Sequence, residues 1–400
     1  MKSGRMSMRS AEGGQVSVTR GFVARASGAM NREMPRVVAV FCAVRLFCLL
    51  VLGIWSRAAG ASTHELLSQR WDSLWYERVA RHGYDFSLVA PDGRHLSSTA
   101  FFPMLPWLEK GVSAASGTDL ADAGLVISAV ASVFAACGIY LIAEHLYSKP
   151  VALISVCLWA ALPVSIVQSM AYSESLFVAL AAWALYSVMR GRWLSAGFLA
   201  CAAGLTRPVG LAVAAAVVFA GVREVLRRRR EPAAGGAELW RVVVAGVVAP
   251  LGAVGFVLWV GVRQGDVFGY LDVQAQWGNG FDGGVSFSRF VASGVGVEGV
   301  WPLLLVAMIV AVFSVHRIIL RQSRSHLLVI YSAIVVAMAI GASGYFGSKP
   351  RLLMPAFPLL LPLAAAMVKA KPLLVYVIVG GEILVAALYG AFWLNGSGPP

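Results

Sequence analysis

The chain has 400 residues, of which 58% are hydrophobic and only 13% are charged, and its mean hydropathy of +0.74 excludes an ordinary soluble globular protein. Apolar runs of about twenty residues, separated by short basic loops, are typical of an all-α polytopic membrane protein and exclude a porin-like barrel. The net charge of +13 does not indicate a nucleic-acid partner, because the cations collect in alternate loops, as they do in membrane proteins.

The cysteines indicate neither disulfides nor a metal site. All five lie within apolar runs and none belongs to a CxxC pair. We therefore expect them to act as small packing residues.

Residues 1–34 are polar and basic, and we predict a disordered cytoplasmic tail. Met30 or Met34 could equally be the start of the protein. Seven cations, the last of them Arg36, lie before or at the start of the first apolar run, at 35–55, which places the N-terminus in the cytoplasm and residues 56–120 in a first outer loop. The composition favours the cell membrane, with the endoplasmic reticulum membrane as the alternative.

About eleven spans are predicted, within a single membrane domain of residues 35–396. A second large outer loop is predicted at 263–299. The predicted spans are 35–55, 125–143, 151–169, 176–189, two short limbs within 193–226, 239–262, 301–320, 326–345, 352–368 and 373–394.

The two short limbs reverse at Thr206-Arg207-Pro208, because the cations on either side, Arg190 and Arg227–Arg230, both belong in the cytoplasm. Each limb is roughly 21 Å long, against roughly 30 Å of hydrocarbon. We therefore expect the turn to lie below the outer surface and to line a cavity, with Arg207 held inside.

The polar stretch 69–84 stands out in the first outer loop. Trp71, Leu74, Trp75 and Val79 recur at helical spacing, which predicts a short amphipathic helix at the membrane interface. On composition alone, Asp72 could be a solvated charge on that helix. A carboxylate that accepts a hydroxyl proton is the alternative, with arginines that bind a departing phosphate.

Five motifs together resemble a known superfamily. They are Arg-Trp-Asp-Ser-Leu-Trp-Tyr at 70–76 with His-Gly-Tyr at 82–84, Ala-Phe-Phe-Pro-Met-Leu-Pro at 100–106, Ala-Tyr-Ser-Glu-Ser-Leu-Phe at 171–177, Leu-Thr-Arg-Pro-Val-Gly at 205–210, and Pro-Arg-Leu-Leu-Met-Pro-Ala-Phe-Pro at 350–358. The chain resembles the GT-C glycosyltransferases that use polyprenyl-phosphate-linked sugars. Within them it is most similar to the phosphatidylinositol-glycan class V mannosyltransferases and their bacterial relatives.

The resemblance implies a GT-C-like fold and an inverting transfer of mannose from a polyprenyl-phosphate donor, with Asp72 as the catalytic base. It implies no metal or other cofactor, and no outer loop contains a DxD motif. The acceptor is expected to be a glycolipid or a glycoprotein. Its identity stays open, because we find no soluble C-terminal domain of the kind that some GT-C enzymes use to bind acceptors.

Further candidates lie in these motifs or in other predicted outer turns. Those for the donor phosphate are Arg207, Arg351 and Lys349, and those for substrate contacts or support are Trp71, Trp75, Tyr76, His82, Tyr84, Glu174 and Trp277. Each of three candidates has an alternative interpretation without a role in the site. Glu174 could only stabilise a helix N-terminus, and Arg351 could extend from a helix end to the interface. His82 could be an exposed polar residue of the interfacial helix.

Two charges fall within predicted spans, Arg45 and Glu382, and they could pair. Arg227–Arg230 is interpreted as a topology signal, with anionic lipid as a further partner. The alternative functions are a transporter or flippase of a lipid-linked glycan, and a non-catalytic subunit of another transferase.

Overall fold

The computed structural model describes residues 12–231, 238–294, 296, 298–323, 325–396 and 398, and helices form most of their secondary structure. The α-helices are α1 (Glu12–Ala58), α2 (Thr63–Ser68), α3 (Asp72–His82), α4 (Met104–Ser116), α5 (Leu120–Leu146), α6 (Lys149–Ala160), α7 (Glu174–Met189), α8 (Trp193–Gly204), α9 (Gly210–Arg230), α10 (Leu239–Val248), α11 (Leu251–Gln264), α12 (Gly269–Gln276), α13 (Val285–Gly294), α14 (Trp301–Ser323), α15 (His326–Gly341), α16 (Lys349–Leu353), α17 (Leu360–Met367) and α18 (Pro372–Leu394). Short 3-10 helices lie at Ser98–Ala100, Ser165–Ser169, Glu298–Val300, Phe346–Ser348 and Phe357–Leu359. Strands β1 (Ser87–Val89) and β2 (His95–Ser97) form an antiparallel hairpin in which Leu88 pairs with Leu96.

Five stretches in the described part of the chain are long and apolar enough to cross a membrane: Glu33–Ala58, Leu120–Leu146, Leu239–Gln264, Pro302–Gln322 and Pro372–Leu394. A sixth candidate is the pair Phe346–Leu353 and Phe357–Met367, which is bent by 71°. Four shorter apolar helices, α6, α7, α8 and α15, pack among them. The predicted all-α, many-span class is confirmed, whereas the count of eleven spans stays a prediction.

Some elements differ from the prediction. Helix α1 includes residues 12–34, for which a disordered tail was expected, while residues 1–11 lie outside the described part of the chain. The predicted outer loop 263–299 contains α12 and α13.

The predicted span 151–169 is only partly helical. Helix α6 ends at Ala160, because Pro163 lacks a backbone N–H and disfavours helical backbone at the residue before it. Arg45, buried in α1, donates hydrogen bonds to the Ala160 carbonyl at 3.3 Å, to Ser165 Oγ at 2.9 Å and to Ser169 Oγ at 2.8 Å. Arg45 therefore stabilises this irregular segment and does not pair with Glu382, which is exposed on α18.

The predicted reversal near Arg207 is present, because α8 ends at Gly204 and α9 begins at Gly210. The backbone N–H of Met104 donates to the Leu205 carbonyl at 3.0 Å, which joins the start of α4 to this turn. The motif at 100–106 and the motif at 205–210 therefore meet at one place.

Small residues let α8 and α11 pack closely, as is common between helices in membranes. A Cβ atom at Gly252 would lie 1.9 Å from the backbone oxygen of Cys201. Gly255, one turn further along α11, has nothing within 4 Å of the same position. The glycine at 252 is therefore required by backbone contact.

We expect Gly252→Ala to lower the free energy of unfolding by about 1–3 kcal/mol, because the two backbones must move apart. Gly255→Ala is the matched control and should be neutral or stabilising, since alanine favours helix. Thermal unfolding of the purified variants in detergent measures both. Equal unfolding temperatures would contradict the close approach.

Candidate active site

A cavity of about 640 Å³ lies where the first loop, the turn after α8, α12 and the end of α15 come together. Its wall combines charged, phenolic and aromatic side chains with the apolar residues of α15. The polar and aromatic residues of the wall include Asp72, Tyr76, Phe101, Arg207, Tyr270, Gln274, Trp277, Lys349 and Arg351. Six of the predicted site residues therefore share one cavity: Asp72, Tyr76, Arg207, Trp277, Lys349 and Arg351.

Asp72 is the first residue of α3, and an unusual backbone precedes it. Trp71 has φ 52°, a left-handed conformation that costs on the order of 1–3 kcal/mol for a residue other than glycine. Arg70 secures this segment, because its guanidinium lies 4.2 Å from the centre of the Trp71 ring and donates to the Leu394 carbonyl at 2.6 Å. The start of α3 is thus tied to the end of α18, and Asp72 is held at the cavity wall.

The Asp72 carboxylate forms an ion pair with Arg351, with 2.7 Å between Oδ2 and Nη1. The Asp72 side chain is 26% exposed, whereas the Arg351 side chain is 9% exposed. The guanidinium of Arg351 also lies 5.2 Å from the centre of the Tyr172 ring. The acid is thus accessible from the cavity, while the cation beside it is buried.

Glu174 connects the two arginines. Its side chain is only 1% exposed, and its Oε1 atom lies 2.5 Å from Arg207 Nη1 and 3.4 Å from Arg351 Nε. A buried carboxylate is tolerated only when it is paired, so these two cations are what stabilise it there. Glu174 is also the first residue of α7, where the helix dipole favours a negative charge.

Two hydroxyl groups complete this network. Tyr76 and Ser173 share a hydrogen bond of 2.8 Å between their oxygens, and Arg207 Nη1 donates to Ser173 Oγ at 3.3 Å. Burial raises the pKa of Tyr76 well above its ordinary value, so its hydroxyl keeps its proton at neutral pH. The Asp72 backbone N–H donates to the hydroxyl oxygen of Tyr172 at 3.3 Å.

Tyr172 and Ser173 were not among the predicted site residues. Their signal in the sequence was their position beside Glu174 in the motif at 171–177. Both residues directly precede α7 and therefore lie close to its N-terminal end, beside Glu174.

Aromatic rings form one side of the cavity. Trp75 stacks on Phe101 with 5.5 Å between ring centres, and Trp277 meets Trp75 edge-on at 4.8 Å. The indole N–H of Trp277 donates to the Ser97 carbonyl at 3.1 Å, and the Tyr84 hydroxyl donates to the Phe101 carbonyl at 2.9 Å. Trp75 and Tyr84 therefore support the wall, while Trp277 is part of it.

Two predicted residues stand apart from the charged network. Lys349 lines the cavity, but its amine donates to the carbonyls of Ala339, at 2.9 Å, and Ala342, where α15 ends. His82 is exposed at the end of α3 and does not line the cavity. Among the described residues, no three His, Cys, Asp or Glu side chains lie together in a way that could hold a metal ion.

We expect Glu174→Gln to lower the free energy of unfolding by about 3–5 kcal/mol, because it leaves the largely buried Arg207 without its carboxylate. Denaturant unfolding in detergent measures the loss. The double variant Glu174→Gln/Arg207→Gln should lose less free energy of unfolding than the two single variants together. Each single variant leaves one unpaired buried charge, whereas the double variant removes both charges of the pair.

Glu224→Gln is the matched control. That carboxylate also contacts two arginines, Arg227 and Arg228, but it lies near the end of α9, where its pairs are more exposed. We expect a loss of about 1 kcal/mol or less there. Equal losses at positions 174 and 224 would contradict the importance of burial.

Comparison with known proteins gives one family match. Residues 99–250 match the family described as dolichyl-phosphate-mannose-protein mannosyltransferase. The matched segment contains Glu174 and Arg207, whereas Asp72 and Arg351 lie outside it. None of the curated proteins matches the chain in sequence.

The chain is also similar to solved structures. One is ArnT from Cupriavidus metallidurans bound to undecaprenyl phosphate, with 17% identity over 85% of this chain and 62% of that chain, and a TM-score of 0.49. Another is the archaeal oligosaccharyltransferase AglB from Archaeoglobus fulgidus in complex with an inhibitory peptide and a dolichol-phosphate, with 12% identity over 90% and 56% of the two chains, and a TM-score of 0.49. The chain thus spans less than two thirds of the length of either protein.

The narrower resemblance to the phosphatidylinositol-glycan class V enzymes stays a prediction. The broader resemblance, to glycosyltransferases that use a sugar linked to a lipid phosphate, agrees with the family match, which covers residues 99–250 and so less than half of the chain.

Proposed function

We propose that this protein is an inverting glycosyltransferase that moves a mannosyl residue from a polyprenyl-phosphate donor to a hydroxyl group of a glycolipid or glycoprotein. The reaction takes place at the extracytoplasmic face of the cell membrane, with the endoplasmic reticulum membrane as the alternative. The observation that carries the proposal is the Asp72–Arg351 pair at the wall of the cavity, in which the acid is accessible and the cation is buried.

Asp72 acts as the general base. The acceptor oxygen attacks the anomeric carbon of the sugar, the bond from that carbon to the phosphate oxygen breaks, and Asp72 takes the proton that the acceptor hydroxyl loses. A positioned base of this kind contributes about 10²–10⁴-fold to the rate. The leaving group is the polyprenyl phosphate, which needs no protonation when cations stabilise it.

Arg351 and Arg207 stabilise the phosphate, which changes from singly to doubly anionic as it leaves. In the resting site, Arg351 is paired with Asp72 and Arg207 with Glu174. When Asp72 takes up a proton it loses its charge, and Arg351 is then free to interact fully with the phosphate. Proton transfer at Asp72 and charge development on the leaving group are therefore coupled through Arg351.

Neighbouring groups hold the reactants. Tyr76, whose hydroxyl stays protonated, donates a hydrogen bond to a sugar or acceptor hydroxyl. Phe101 and Trp277 line the cavity, and the sugar ring packs against their apolar rings. Glu174 keeps both arginines in place, and no metal or other cofactor takes part.

We expect Asp72→Asn and Asp72→Ala to lower kcat by about 100-fold or more, because the proton acceptor is lost. Donor affinity should be kept or increased, since the phosphate no longer competes with Asp72 for Arg351. Transfer from polyprenyl-phosphate-mannose by the purified protein in detergent, together with donor binding, measures both quantities.

Asp92→Asn is the matched control for this experiment. Asp92 is an exposed acid of the same loop, paired with Arg94, and its loss should leave the transfer rate unchanged. An Asp72→Ala variant with full activity would exclude Asp72 as the base.

We expect Arg207→Ala to weaken donor binding about tenfold or more, while Arg207→Lys keeps part of the affinity, because lysine retains the charge but not the planar fork. Donor titration by intrinsic tryptophan fluorescence measures the change. Arg94→Ala, which removes an exposed arginine of the first loop, should bind the donor as the unchanged protein does. Unaltered affinity in Arg207→Ala would contradict a phosphate role.

A flippase of a lipid-linked glycan is the alternative function. A flippase calls for paired charges at mid-membrane depth. The two charges within the predicted spans, Arg45 and Glu382, do not form such a pair, because Arg45 binds Ser165 and Glu382 is exposed. Movement of the lipid-linked sugar by an Asp72→Asn variant that transfers no sugar would favour this alternative.

A further inference from the structure

A second charged region lies at the C-terminal end of α9. This end of the helix is the one remote from the candidate active site. Helix α9 begins three residues after Arg207 and ends in the run Arg227–Arg230. Its 21 residues extend over about 30 Å, roughly the thickness of the hydrocarbon layer. The proposed transfer reaction makes no use of these arginines.

A cavity of about 550 Å³ adjoins this end of α9. The end of α7, the start of α8 and the start of α15 supply its apolar side, through Val188, Trp193 and Leu327. Trp193 and Leu327 are buried, so this side of the cavity belongs to the packed interior of the helix bundle.

Arginines of α9 line the rest of the cavity. Arg223, Arg227 and Arg230 follow one another at i, i+4 and i+7, so all three lie on the same face of the helix. Phe219 continues that face towards the membrane interior, and the guanidinium of Arg223 lies 5.8 Å from the centre of its ring. The cavity therefore has a cationic end and an aromatic, apolar end.

Two acids also line this cavity, and they neutralise only part of the charge. Glu224 accepts hydrogen bonds from Arg227 at 2.8 Å and from Arg228 at 2.9 Å. Glu231 follows the arginine run and interacts with Arg227. In the part of the chain that the structure describes, neither Arg223 nor Arg230 has a carboxylate within 4.0 Å.

We propose that this cavity binds an anionic phospholipid of the surrounding membrane. Its phosphate contacts Arg223 and Arg230, whose planar guanidinium groups can each donate two hydrogen bonds to phosphate oxygens. Its acyl chain packs against Phe219, Trp193 and Leu327. Basic pockets between membrane helices are suited to such headgroups, and the apolar end distinguishes a lipid from a free anion.

The test measures lipid binding to the purified full-length protein in detergent. Phosphatidylglycerol, phosphatidylcholine with the same acyl chains, and inorganic phosphate are each titrated while thermal unfolding and bound lipid, by native mass spectrometry, are recorded. We expect phosphatidylglycerol alone to bind and to raise the unfolding temperature. In Arg223→Gln/Arg230→Gln its affinity should fall about 30-fold, and in each single variant about fivefold.

The matched control is Arg317→Gln/Arg321→Gln in the last turns of α14. These exposed arginines precede the start of α15, which carries Leu327, so the same charge is removed nearby but outside the cavity. We expect this variant to bind phosphatidylglycerol as the unchanged protein does. Equal losses in the two double variants would overturn the site in favour of diffuse surface attraction.

Two further outcomes also decide the question. If inorganic phosphate stabilises the protein as much as phosphatidylglycerol does, the site takes a free anion and the lipid proposal fails. If phosphatidylcholine binds equally well, the headgroup charge is irrelevant and the proposal fails too. If the double variant does not fold, the single variants and Arg223→Lys/Arg230→Lys are measured instead. The lysine variant should keep most of the affinity for phosphatidylglycerol.

Discussion

One buried carboxylate, that of Glu174, holds the candidate site together. It contacts Arg207 from the turn after α8 and Arg351 from α16, and these two segments are far apart in the chain. Without it, two largely buried cations would repel each other, and their desolvation would have no compensation. With Asp72 included, two acids balance two arginines. A change of charge at any one of them therefore acts directly on the others, which suits the proposed reaction, in which a proton and a phosphate charge change together.

Interrupted helices recur around this network, and buried side chains bind carbonyl groups at several of the interruptions. Arg45 and Gln168 bind the carbonyls at the end of α6, at 3.3 Å and 2.9 Å. Tyr331 donates to the Pro355 carbonyl at 2.9 Å, and Lys349 binds the carbonyls at the end of α15. Irregular backbone inside a membrane protein is stable only when such partners are present. Polar residues within apolar runs can thus serve the backbone rather than the substrate.

The sequence alone determined the features that depend on local pattern. Apolar runs and the placement of cations indicated the all-α membrane class, and the helical spacing around Trp75 predicted α3. The reversal at Arg207 followed from charge and run length alone. The motifs also marked Asp72 and Glu174 as candidates. Periodicity, loop charge and short motifs are properties of neighbouring residues, so no knowledge of the packing was needed for any of them.

Only the tertiary structure decided which side chains meet. Asp72 and Arg351 are 279 residues apart, and no local pattern records their contact. Two charges in apolar runs suggest a pair between Arg45 and Glu382. In the folded chain, Arg45 instead donates hydrogen bonds to two serines and a backbone carbonyl. The end of α6 and the left-handed backbone of Trp71 were likewise not anticipated. Helix ends and strained residues depend on hydrogen bonds and contacts between distant segments, which the fold alone brings together.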